Sequence, residues 1–76
     1  MQITELKQEC GYVEYGNVCD SQGLYEMALD AYERALRIFP DDADALFDKG
    51  ETLVKIGRPQ EATTYFAQAM QLYVGA

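Results

Sequence analysis

The segment "DADALFDKGE", residues 42–51, sets carboxylates at Asp42, Asp44 and Asp48, the opening of a spacing that can ligate calcium. Such a loop needs an oxygen ligand at its fifth position and glycine at its sixth, and Leu46 and Phe47 stand there instead. "GYVEYGNV", residues 11–18, has the glycine spacing of a phosphate-binding loop but no following Gly-Lys-Ser/Thr. It also falls inside a predicted helix rather than after a strand. Ser21 has no histidine to activate it, because the chain contains none. That absence removes the usual acid–base group near neutral pH and the commonest metal ligand. Asp41, Asp42 and Asp44 read better as helix-start residues than as a catalytic pair. Neither catalysis, nor a metal, nor a cofactor is expected.

The composition narrows the class further. Thirteen acidic against six basic residues give a net charge of −7, which opposes binding to a phosphate backbone. A hydrophobic fraction of 49%, with six tyrosines and three phenylalanines, marks a folding chain. No apolar run approaches the ~20 residues of a membrane span, and the first residues lack a basic-then-apolar signal. Cys10 and Cys19 are nine positions apart; on one helix that is half a turn out of phase and about 13 Å of rise, too far for a disulfide. Free thiols point to a reducing compartment, so a cytoplasmic location is expected.

The elements that must position any site come from a repeat. Shifting the chain so that Gly16 falls on Gly50 also brings Gly23 onto Gly57, Ala28 onto Ala62 and Ala35 onto Ala69. The same shift, a period of about 34 residues, aligns Tyr12 with Leu46, Tyr32 with Phe66 and Leu36 with Met70. One domain is expected, with repeats at 9–42 and 43–76 and residues 1–8 extending the first helix. Pro40 and the aspartates of "PDDAD" separate the units; "SQG" around Gly23, and Gly57 with Pro59, break each unit into two helices. The predicted helices span 4–22, 24–39, 43–56 and 59–73. Exposed pairs Asp30–Arg34, Glu33–Arg37 and Glu51–Lys55 run acid first at i, i+4, each adding about 0.2–0.5 kcal/mol.

The first helix carries two apolar stripes where a surface helix usually has one. At about 100° per residue, Tyr12, Tyr15, Gly16 and Cys19 cluster on the side expected to pack inside the repeat. Ile3, Leu6, Cys10, Val13 and Asn17 cluster almost opposite. In the second helix Ala31, Ala35 and Phe39 form a stripe expected to pack on the second unit. Their counterparts Tyr65, Ala69 and Tyr73 would then lie uncovered and drive self-association, most simply as a two-fold homodimer of last helices.

The period and residue order resemble the tetratricopeptide repeat, a helix–turn–helix unit of about 34 residues. The first unit carries the pattern as Tyr12, Gly16, Gly23, Tyr25, Ala28, Tyr32, Ala35 and Pro40; the second as Leu46, Gly50, Leu53, Gly57, Ala62, Phe66 and Ala69. Cys19 replaces a usual aromatic, Lys49 a usual aliphatic and Val74 the closing proline. The resemblance implies an all-α fold, two stacked helix–turn–helix repeats in a short right-handed solenoid. It implies a non-catalytic adaptor or scaffold that binds proteins, neither nucleic acid nor membrane. In that family the second side of each unit's first helix lines a concave peptide groove. Here the groove would comprise Cys10, Val13, Asn17, Asp20, Asp44, Phe47, Glu51 and Val54. Its apolar floor and acidic edges suit an apolar or basic segment of a partner. Family members that grip a carboxyl-terminal carboxylate do so with lysines and asparagines; Val13 and Asp48 stand at two of those places and only Asn17 matches. The alternative function is a self-assembling module that stacks through its last helix.

Overall fold

The computed structural model describes residues 8–75, with side chains from Gly11 onward. Four helices follow in order: α1 (Gln8–Ser21), α2 (Tyr25–Ile38), α3 (Ala43–Lys55) and α4 (Pro59–Gly75). The predicted boundaries agree closely wherever they can be compared. The expected start of the first helix at residue 4 lies outside the described residues, as do Ile3 and Leu6.

The two hairpin turns are built alike because the sequence places glycine at the same register. Gly23 and Gly57 take φ of 80° and 84°, the left-handed region that only glycine enters freely. At the first turn Leu24 N donates to Cys19 O at 2.8 Å and Gly23 N to Asp20 O at 3.0 Å. At the second, one repeat on, Arg58 N donates to Leu53 O at 2.8 Å and Gly57 N to Val54 O at 3.0 Å. Both are Schellman closures, which satisfy carbonyls a helix end leaves free. Between the units, Asp42 caps α3 by accepting from Ala45 N at 3.1 Å.

The hairpins close tightly because a ring in each lies on bare backbone. A β-carbon at Gly16 would sit 2.5 Å from Tyr32 Cε1, and one at Gly50 would sit 2.6 Å from Phe66 Cε1. Ala28 and Ala62, fully buried, permit the same approach from the second helix of each pair. α2 then packs on α3, and α1 also touches α3, which makes the fold a helical-repeat solenoid.

Several expectations are corrected. Tyr15, assigned to the interior of its unit, is 51% exposed, and Phe39, expected against the second unit, is 54% exposed; Ala31 and Ala35 are buried as expected. Asp30 pairs with Arg34 at 3.0 Å. Glu33, however, bonds Lys49 rather than Arg37, and Lys55 bonds Asp20 at 2.9 Å rather than Glu51. The reason for the first exchange is burial. Lys49 is only 7% exposed, and an ammonium removed from water needs a counter-charge far more than exposed Arg37 does.

Candidate functional site

Three stripes divide the surface of α3. Leu46, Gly50 and Leu53 form one buried stripe, with Gly50 against Phe66 of α4; Ala45, Lys49 and Thr52 form a second, with Lys49 bonded to Glu33 of α2; Asp44, Phe47, Glu51 and Val54 are exposed. The counterparts of this last stripe on α1 are Cys10, Val13, Asn17 and Asp20. The side chain of Cys10 lies outside the described residues. Val13 is half-buried, whereas Asn17, Phe47, Glu51 and Val54 are exposed, with Asp44 at the rim.

Several of these side chains are held in place. Tyr32, reaching from α2, donates its phenolic hydrogen to Asn17 Oδ1 at 2.6 Å. Tyr73, reaching from α4, donates to Asp44 Oδ1 at 2.7 Å, and that bond pushes its own pKa up to about 12. The Phe47 ring packs 5.3 Å from Phe66, tilted by 49°. Asp20 receives Lys55 on one oxygen while its buried Oδ1 has no partner among the described residues.

The residue that defines the electrostatics of this face is one the groove assignment omitted. Asp48 sits between the outward stripe and the α2-facing stripe. Burial, then Glu51, Asp44, Asp20 and Asp42, push its pKa up to about 6. The Tyr32 hydroxyl shares this environment: burial first, then Asp48 and Asp20, hold its pKa above the ordinary tyrosine value. Helix phase was the available signal, since Asp48 is next to Phe47 and one turn before Glu51.

Lys49, a departure from the aliphatic expected there, is explained by its surroundings. Its Nζ donates to Glu33 and, at 2.8 Å, to the Tyr65 hydroxyl, and lies 4.2 Å from the centre of the Tyr65 ring. The Tyr65–Ala69–Tyr73 stripe is accordingly not a free outward face. Steps of four positions drift about 40° each around a helix, so Tyr65 turns to one side of α3, at Lys49, and Tyr73 to the other, at Asp44. Ala69, between them, is 1% exposed and offers no surface to a second copy.

A hollow of about 640 Å³ lies away from this face between Pro40–Asp41 and the last turns of α4. Asp41 is its one charged side chain, and no nucleophile lines it. A smaller apolar hollow of about 230 Å³ is bounded by Phe47, Phe66, Ala69, Met70 and Tyr73. Among the described residues no cluster of acidic or cysteine side chains is placed to hold a metal ion, and no helix is long and apolar enough to cross a membrane.

In comparison with known proteins, a family model described as tetratricopeptide repeat matches residues 8–73. No curated protein matches the chain.

Proposed function

The chain belongs to the tetratricopeptide repeat family, whose members are generally protein-interaction modules, and on that footing we propose that its α1/α3 face binds a basic, partly apolar segment of a partner protein. The carrying observation is the crowding around Asp48, where burial and four neighbouring carboxylates raise one further carboxyl to about 6. Lysine or arginine on a partner would relieve that repulsion, while Phe47 and Val54 supply exposed apolar contacts. The role is adaptor rather than enzyme: no histidine is present, and Ser21 spends its hydroxyl on Val18 O at 2.8 Å.

Fluorescence anisotropy with two labelled synthetic peptides, one alternating leucine with lysine and one alternating leucine with glutamate, tests the proposal. The lysine peptide should bind at least about tenfold tighter, a difference of about 1.4 kcal/mol. Its affinity should weaken as pH falls from about 7.5 to about 5 and Asp48 loses its charge, and should weaken in Asp48→Asn. Equal binding of the two peptides, or none of either, would overturn the assignment.

A further inference from the structure

The contact between the two repeats contains a pattern that recurs, altered in a concerted way, at the two ends of the molecule. Inside the chain α3 packs on α2, with Lys49 bonded to Glu33 and Ala45 and Thr52 buried on the same stripe of α3 as Lys49. One repeat earlier the same positions on α1 are Gly11, Tyr15 and Val18, and among the described residues nothing packs over them as α2 packs over α3. Thr52 is fully buried, whereas Val18 is 52% exposed. At the opposite end, Phe66 is partly uncovered where Tyr32 is buried, and Met70 is 62% exposed where Leu36 is half-buried.

Three cross-repeat contacts show how the ends are matched. Lys49 bonds Glu33 inside the chain; one repeat away, those places hold Tyr15 at the front end and Ala67 at the back. Lys55 bonds Asp20; the corresponding places hold Ser21 and Val54. Thr52 and Tyr32 are both fully buried, and the Thr52 hydroxyl acts on that of Tyr32 without a hydrogen bond among the described residues; the corresponding places hold Val18 and Phe66. In each case both members change together, from charged or polar to uncharged or apolar. In the first two contacts a change in one member alone would have left a charged side chain without its counter-charge. Glu14, at the place of Asp48, is the acid that persists, and it continues the acidic α1/α3 face.

We propose that copies of this chain stack head to tail, α1 of one copy docking on α4 of the next by the same geometry that joins its own two repeats. Val18 then enters the hollow beside Phe66 and Met70, and Tyr15 lies over Ala67. The interface is heterologous, so a dimer still exposes one free end of each kind, and growth continues until the stack closes into a ring or extends as a filament. This replaces the two-fold pairing of last helices, which the burial of Ala69 disfavours.

Sedimentation velocity with the whole chain and two variants tests the arrangement. Val18→Glu blocks the front end and Met70→Glu the back; both sites are exposed, and circular dichroism checks that helicity is kept. If either variant loses helicity, Tyr15→Lys and Ala67→Lys replace it at the same ends. The native chain should grow past dimer as concentration rises into the hundreds of micromolar. Each variant alone should be a monomer, and their mixture should form a one-to-one heterodimer that grows no further. A native chain that stays monomeric overturns the proposal. So does a Val18→Glu variant that still dimerises alone, which is the result for two-fold pairing through α4.

Discussion

Asp48 is kept charged at neutral pH against the local field of its neighbours. Its folded pKa of about 6 lies above that of an exposed aspartate, so between about pH 4 and about pH 6 the folded chain holds more protons than the unfolded one. Stability contributed by this group is therefore greatest below about pH 4 and falls as pH rises through about 6. Asp48→Asn should raise the melting temperature at neutral pH and leave it unchanged in the acid range. The rise from about 4 to about 6 corresponds to about 3 kcal/mol, but Asp48 retains contact with water and screening reduces the return to about 1 kcal/mol. For a domain of this size that is a rise of about 4–8 °C, measurable by thermal melts at the two pH values. A lower melting temperature at neutral pH would mean that the carboxylate makes a stabilising contact and that the crowding is relieved by another route. Protonating Asp48 should thus add to its own contribution to stability while weakening the grip on a basic partner.

At the scale of the helix, two glycines of α1 make opposite predictions. Alanine is normally better than glycine in a helix by up to about 1 kcal/mol. Gly11 has nothing within 4 Å of where a β-carbon would stand, so Gly11→Ala should stabilise by about 0.5–1 kcal/mol. Gly16 has the Tyr32 ring there, and Gly16→Ala should cost about 1–3 kcal/mol as α1 and α2 are forced apart. Urea titration of both variants measures the pair; a stabilising Gly16→Ala would mean that the ring shifts without loss. This packing was legible in sequence because glycine, alanine and the aromatic recur twice at one register, and a spacing that returns a whole repeat later is not a local accident. Tyr15 was misplaced for a different reason. A helical wheel reports that a residue is apolar and its direction, but not whether that direction leads into its own hairpin or toward a neighbouring one. Likewise the i, i+4, i+8 reading of Tyr65, Ala69 and Tyr73 treated a drifting line as a straight one, and the cumulative turn separated the two tyrosines onto opposite sides of α3. The role of Lys49 escaped because it depends on Glu33 and Tyr65, on α2 and α4, outside any local window around α3; Asp48 had a local signal in Glu51 and Asp44, and what the sequence withheld was its burial.

At the scale of the whole molecule, the two proposed surfaces should respond to salt in opposite directions. The α1/α3 face is acidic and would hold a basic segment by charge, so salt should weaken that binding. The stacking ends lack both ion pairs that join the repeats internally, and what opposes their contact is the net charge of −7 on each copy. At about 0.5 M salt the screening length falls to several ångströms, and the repulsion between copies is largely removed while apolar contact remains. Association should therefore strengthen from about 0.05 M to about 0.5 M sodium chloride, read as a rising weight-average mass in sedimentation. Because an associated copy is stabilised by mass action, the melting temperature should also climb with protein concentration, and climb more steeply at the higher salt. In Val18→Glu the concentration dependence should vanish at both salt levels, leaving only the small general effect of screening on a charged monomer. Association that weakens with salt would place an ion pair in the interface, and the concerted loss of charge at Tyr15, Ala67, Ser21 and Val54 would then have no bearing on how copies meet.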